Sequence, residues 1–217
     1  MTDAEDRLAT LADYGLLDTP MEPQFDSIVE AAACEVDAPI AMISLIDARR
    51  QWFKARLGID STETPIEESF CAKAIEQDDV FVVPDASVDE RFRNYPNVTG
   101  GPGIRFYAGA PLRMRNGTQI GTLCVIDVAP RAGLDDEERI ALEDLARRTV
   151  AAFELRRDMR DAQGDDAAGS DASSWLEQAS SHLLKAWAAL DQIGATAEVA
   201  HLERVIVDVD ALRLSHG

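Results

Sequence analysis

The most reactive side chains in this 217-residue sequence are the thiols of Cys34, Cys71 and Cys124. Cys71 stands in "TPIEESFCAKAI" (64–75), two residues before Lys73 and near the expected start of a short helix. A helix N-terminus and a nearby ammonium both lower a thiol's pKa and favour the nucleophilic thiolate. A thiol that reduces a substrate through a sulfenic intermediate also needs a second cysteine to resolve it. Cys124 is the reasonable candidate, but it lies mid-strand in "GTLCVID", among apolar neighbours that suggest burial. The simpler reading is that Cys71 packs as a small apolar residue at the start of its helix.

Other chemistries are poorly supplied. An odd number of cysteines with no CxxC pair argues against a disulfide framework and a structural zinc site. The histidines, His182, His201 and His216, all lie in the last quarter of the chain, so no metal site is expected short of an unusual mixed one. The acidic pairs at 78–79, 135–136 and 137–138 read as solvated faces or helix N-terminal charges, not as a catalytic dyad. The glycines of "SVDERFRNYPNVTGGPG" lack phosphate-loop spacing and no lysine follows them. His182, in "SSHLLKAWAAL", has the helical setting of a phosphoacceptor but not the surrounding residues, and reads as a helix-surface histidine.

A net charge of −19 sets up a field that repels phosphates, so nucleic acid is not an expected partner. Hydrophobic content of 46% suits a soluble globular chain with one well-cored domain and an appendage. No apolar run approaches the roughly 18–20 residues of a membrane span. The start, "MTDAEDRLATLADYG", lacks the basic and apolar regions of a signal peptide. The expectation is a cytoplasmic protein without membrane contact.

The elements that would position Cys71 can be read from periodicity. Leu8, Leu11, Tyr14 and Leu16 recur at helical spacing. A second helix fits "QFDSIVEAAACEV", with Phe25, Ile28, Val29, Ala32 and Val36 on one face and Cys34 near it as a buried small residue. "PIAMISLID" (39–47) and "RQWFKARLG" (50–58) read as strands joined by a tight turn at Asp47-Ala48-Arg49, the second alternating Gln51, Phe53, Ala55 and Leu57 with Trp52, Lys54 and Arg56. A polar loop, the Cys71 helix, a strand in "VFVVPDA" and a long loop over 86–103 follow. "IRFYAGAPLRM" and "TQIGTLCVID" flank Asn116-Gly117, which predicts a two-residue hairpin turn with both residues at positive φ. A long amphipathic helix then runs over about 135–160. Residues 161–174 contain no large apolar residue and read as a flexible linker, and two helical patterns beyond it form a hairpin over 175–214. The order predicts an α+β fold around a largely antiparallel sheet.

The segments "RLATLADYGLLDTPMEPQFDSIVEAAA", "APIAMISLIDARRQWFKARLGID", "ETPIEESFCAKAI", "VPDASVDERF", "IRFYAGAPLRM" and "IGTLCVID" together resemble a GAF domain, the variety at the input ends of bacterial sensor histidine kinases and diguanylate cyclases. The resemblance implies a GAF domain over 1–160. It implies a six-stranded antiparallel sheet with helices on one face and a small-molecule pocket on the other, roofed by segments around 59–75 and 86–105. It also implies pairing of the terminal helices with those of a second subunit. The pocket candidates are Trp52, Phe70, Cys71, Lys73, Phe92, Tyr95, Arg105, Tyr107 and Asp127. On one reading Trp52 and Phe70 are core, Asp127 caps a strand end and Arg105 is solvated or ion-paired. On the other, Arg105 and Tyr107 present a cation and a hydroxyl to an anionic or aromatic ligand. The chain departs from the family pattern at Ile66, Lys73 and Tyr95, where a basic residue, a histidine and an asparagine are common. No histidine directly follows Cys71 or Cys124, and none occurs before residue 182, which argues against a covalently held bilin and an imidazole-ligated haem. The cofactor is therefore left unspecified. The expectation is a non-enzymatic sensor or regulatory module in signal transduction that binds a small molecule or a partner protein, is homodimeric, and passes its signal from the long helix to a separate protein. The rivals are a thiol-dependent reductase of small oxidised metabolites, acting through Cys71, and an interaction scaffold whose own side chains fill the pocket.

Overall fold

The computed structural model describes residues 3–165 and, beyond them, only residues 181, 183, 205 and 206. The chain divides into two units, Met1–Asp158 and Met159–Gly217, and the sheet belongs to the first. Its strands are β1 (Ile40–Ile46), β2 (Arg50–Leu57), β3 (Glu63–Pro65), β4 (Phe81–Val83), β5 (Phe106–Arg113) and β6 (Gln119–Asp127). They form one antiparallel sheet in the order β3-β2-β1-β6-β5-β4. The helices are α1 (Asp3–Tyr14), α2 (Pro23–Glu35), α3 (Phe70–Ala74), α4 (Pro96–Thr99) and α5 (Asp136–Asp165).

The two innermost strands, β1 and β6, are buried along almost their whole length because both faces of the sheet are covered. Ile43, Leu45, Leu123 and Val125 point to one face and pack under Leu11 and Tyr14 of α1, Phe25 and Val29 of α2, and Leu142 and Phe153 of α5. Ile40, Met42, Cys124 and Ile126 point to the other face and meet Phe53, Phe70, Phe92 and Tyr107. The period-2 alternation of a strand thus separates two cores. A reciprocal cap begins α5: the Glu138 N–H donates to Asp135 Oδ1 and the Asp135 N–H to Glu138 Oε2, each at 2.8 Å. The β5–β6 turn is tied to that helix, since the Arg115 N–H donates to Glu154 Oε1 at 3.0 Å while Tyr14 Oη donates to Glu154 Oε2 at 2.7 Å.

Several expectations are corrected. Cys34 is exposed, because Val29, Ala32, Ala33 and Val36 take the buried face of α2 and its neighbour in sequence turns outward. The polar loop after β2 contains the edge strand β3, whose three residues are too few and too polar to show alternation. The loop over 86–103 contains α4, started by Pro96. At the second hairpin only Gly117 has positive φ (86°), and its N–H donates to Met114 O at 2.8 Å, so the turn is one residue longer than the Asn-Gly pair implied. α5 continues to Asp165, five residues past the expected end. Of the segments expected as linker and hairpin, residues 166–174 and all but four of 175–214 lie outside the described residues, as does His182.

Lys54 sits at a break in the alternation of β2, where Ile43 pairs with Ala55 and Ser44 with Phe53. It shares a face with Trp52 beneath the helices and is 1% exposed. Its Nζ donates to Thr19 Oγ1 at 2.8 Å, Pro20 O at 2.9 Å and Glu22 Oε1 at 2.5 Å. Arg156 Nε of α5 donates to the same Glu22 oxygen at 3.1 Å, so one carboxylate joins sheet, α1–α2 linker and long helix. Burial pushes the Glu22 carboxyl up, but hydrogen bonds and charge from Lys54 and Arg156 outweigh it and leave the group below its ordinary value of 4.5.

A depressed folded-state pKa contributes stability that is present above the unfolded value and lost as pH falls through the folded one. Glu22→Gln should therefore cost about 2–3 kcal/mol near neutral pH by stranding the buried ammonium, discounted for the partial exposure of Glu22. It should also flatten the loss of stability below pH 4.5. Urea unfolding at a series of pH values measures both.

Candidate functional site

The sheet face opposite the long helices carries a cavity of about 460 Å³. Its floor comes from alternate residues of four strands: Ile40 and Met42 of β1, Gln51 and Phe53 of β2, Tyr107 of β5 and Ile126 of β6. Its roof comes from residues 58–64, 68–71 and 96–104. The roof is fastened by polar groups. Ser69 caps α3 by accepting the Ala72 N–H at 2.9 Å, and its hydroxyl donates to Gln51 Oε1, fixing α3 to β2. Asn97 Nδ2 donates to Glu68 O at 3.0 Å and joins the two roof segments. Arg105 donates to the carbonyls of Val98, Gly103 and Ile104 at 3.0, 3.1 and 2.9 Å.

Beneath the roof Phe70 stacks between Phe92, at 4.3 Å between ring centres, and Tyr107, at 5.3 Å, with Tyr95 edge-on to Phe70 and Phe92. The Tyr107 ring lies along β5 over Gly109, where a methyl group would overlap its hydroxyl. That position delivers Tyr107 Oη to Cys71 Sγ at 3.3 Å and to Thr122 Oγ1 at 3.4 Å. Cys124 Sγ lies 3.7 Å from Cys71 Sγ and 3.7 Å from Met42 O. Ser44, Cys71, Tyr107, Thr122 and Cys124 thus form a polar patch wholly removed from solvent. Burial pushes the Cys71 thiol up, yet hydrogen bonds from Cys124, Thr122 and Tyr107 outweigh it and bring the group down to about 7. Cys124 moves the other way, well above the ordinary thiol, because burial and the Cys71 sulfur both oppose a second charge. Burial and the two cysteines push Tyr107 well up, so its hydroxyl stays a proton donor.

The structure brings together Phe70, Cys71 and Tyr107 on the cavity wall, with Phe92 and Tyr95 stacked behind them. It separates the other candidates. Trp52 packs in the core under the helices, because β2 turns it to the far face. Lys73 is exposed and pairs with Glu76 at 3.0 Å. Arg105 spends its guanidinium on roof carbonyls, so it presents no cation to the cavity. Asp127 accepts from Arg131 at 2.5 Å; Arg131 also donates to Val36 O and Asp37 O, clipping β6 to the end of α2. The lining residues Gln51, Asp60, Glu68 and Asn97 were not anticipated from the sequence; of these, only Gln51 had a signal, its period-2 position beside Phe53. Among the lining residues there is no lysine, arginine or histidine, and Asn97 Oδ1 is buried without a hydrogen-bond partner.

A six-stranded antiparallel sheet with long helices on one face and a roofed pocket on the other is the frame of a regulatory domain. The GAF domain family matches residues 20–153, and the chain belongs to that family. It is 44% identical over 155 residues to a cyclic di-GMP phosphodiesterase of Pseudomonas aeruginosa, a match covering 71% of this chain and 26% of the relative. The chain thus spans about a quarter of that relative's length. The GAF domain of a phosphoenolpyruvate-protein phosphotransferase from Coxiella burnetii superposes with a TM-score of 0.53 at 16% identity, covering 74% of this chain and 99% of that one. The free methionine-R-sulfoxide reductase of Neisseria meningitidis superposes with a TM-score of 0.52 at 16% identity, covering 73% and 95%. These two likenesses show the fold alone.

GAF domains are regulatory and sensor modules, which sets this chain in a signalling context. The expectation of a non-enzymatic protein is corrected by the phosphodiesterase, a relative named for a catalytic activity, which points to an enzyme. Most of that relative's length lies outside the match, so the groups behind its named activity need not fall within the matched residues. No helix among the described residues is long and apolar enough to cross a membrane.

Gly109→Ala should displace the Tyr107 ring from the sheet and destabilise the domain by about 1–3 kcal/mol, the usual cost of overpacking. A fall in the urea midpoint with an unchanged slope is the expected result.

Proposed function

We propose that the chain senses a small, phosphate-free molecule in the cavity over β1, β2, β5 and β6, and through it sets cyclic di-GMP turnover in the cytoplasm. The lining carries this reading. Asp60, Glu68 and the unpaired Asn97 Oδ1 are acceptors or anions above an apolar floor, and no cation among the lining residues answers them. A phosphate there would meet carboxylates without a counter-charge, whereas a neutral or cationic ligand with an N–H group would satisfy Asn97. Association with cyclic di-GMP is supported by the 44% identity to the phosphodiesterase. On this reading the sensed ligand and the hydrolysed nucleotide are different molecules.

Occupancy would act through the roof segment held by Arg105 and through the β5–β6 turn that Arg115 and Glu154 fasten to α5. A second copy of the chain pairs along α1 and α5, where Ile140 and Leu155 are 58% and 55% exposed, and a separate protein receives the signal.

In calorimetric titration the purified chain should show no saturable binding of cyclic di-GMP or cyclic GMP at the cavity; saturable binding that Ile126→Trp abolishes would contradict the reading. In the host, Ile126→Trp, which fills the cavity floor, should shift cellular cyclic di-GMP severalfold relative to wild type. An unchanged level, with circular dichroism confirming the fold, would remove the link to turnover. Light scattering should give a dimer for the wild-type chain and a monomer for Leu155→Asp.

A further inference from the structure

Cys71 and Cys124 lie 53 residues apart in the chain, yet the fold sets their sulfurs 3.7 Å apart in the polar patch below the cavity. Their positions are unequal. Cys71 is carried by the five-residue roof helix α3 and is one of the residues lining the cavity, with 1% of its surface exposed. Cys124 is fixed in the middle of β6, fully buried and absent from the lining, with Cys71 beside it. The Tyr107 hydroxyl donates to Cys71 Sγ and favours its thiolate, while Cys124 retains its proton and can give it up to a leaving group. Cys34 is exposed on the outside of α2 and takes no part. Closing a disulfide would bring the sulfurs from 3.7 Å to ~2.0 Å.

We propose that Cys71 and Cys124 are a redox site, at which a hydroperoxide entering the cavity converts the pair to an internal disulfide. The Cys71 thiolate attacks the terminal peroxide oxygen; the O–O bond breaks, the alkoxide or hydroxide leaves and takes up a proton, and Cys71 becomes a sulfenic acid. Cys124 Sγ then attacks Cys71 Sγ; the S–S bond forms, the S–O bond breaks, and hydroxide leaves as water with the Cys124 proton. Two thiols and one hydroperoxide give one disulfide, one alcohol (water when the oxidant is hydrogen peroxide) and one water, with two electrons passed to the peroxide. A dithiol reductant restores the pair. The disulfide would bind roof to floor and break the Tyr107–Cys71 hydrogen bond, changing the shape of the cavity whatever ligand it holds.

The test uses the full chain carrying Cys34→Ser, which removes the exposed thiol and leaves the core untouched. One equivalent of hydrogen peroxide, followed by denaturation, alkylation and intact-mass measurement, should give a species lacking two hydrogens and both alkyl labels. Peptide mapping should join the Cys71 and Cys124 peptides, and dithiothreitol should return both labels. Cys124→Ser in the same background should leave a Cys71 sulfenic acid that dimedone traps. Full alkylation of both cysteines after peroxide, a sulfinic Cys71 with no cross-link, or a disulfide only between chains would each overturn the proposal. None of these outcomes bears on cyclic di-GMP or on the sensed ligand, so the two readings fail separately.

Discussion

Both faces of the inner strands are covered, so a polar group they or their neighbours carry is costly unless it is satisfied inside the protein. The rest of the structure follows from how each face meets that demand. On the helix side the ammonium of Lys54 is the heaviest obligation, and the α1–α2 linker answers it with Thr19 Oγ1, Pro20 O and Glu22 Oε1. Arg156 adds α5 to the same carboxylate, so the helix layer is positioned by charge as well as by Phe25 and Phe153, whose rings meet at 4.9 Å. On the opposite face the obligations are smaller. Tyr107, Thr122, Cys71 and Cys124 satisfy one another, which leaves that face free to end in a cavity.

This division explains why the site could be read only in part from sequence. β1 was legible as a short apolar run, β6 as one flank of the Asn116-Gly117 hairpin, and α5 because its acids and apolar stripe agree on one start. The family resemblance supplied the sixth strand, since Glu63-Thr64-Pro65 carries no pattern of its own. The burial of Lys54 was not legible, because a charged residue in a strand carries no sign of burial and its partners lie more than thirty residues earlier. Cys34 was misread for the opposite reason: a small residue near an apolar face gives no sign of which side it takes.

Within the site, Phe70 and Tyr107 were legible as aromatic residues next to recognisable segments, and their meeting was not. It depends on the cap at Ser69, which starts α3, and on the absence of a side chain at Gly109, which lets the tyrosine ring lie along its strand. Asn97 and Glu68 carried no signal, because a single polar residue in a roof segment acquires a direction only once the roof is folded. The nearness of Cys71 to Cys124 is likewise a product of register: β1 pairs Met42 with Cys124, and α3 then lowers Cys71 onto that point. Arg105 shows the converse, a residue whose type promised an anion site and whose guanidinium is consumed in holding three carbonyls.

A sheet that separates a charge-fastened helix layer from an apolar, cation-free cavity is suited to reporting occupancy of that cavity to α5. Native mass spectrometry of the protein purified from its own host addresses this most directly. The account predicts a non-covalent adduct of one small molecule per chain, free of phosphorus and lost in Ile126→Trp. A phosphate-bearing adduct, or the same adduct retained by Ile126→Trp, would contradict it.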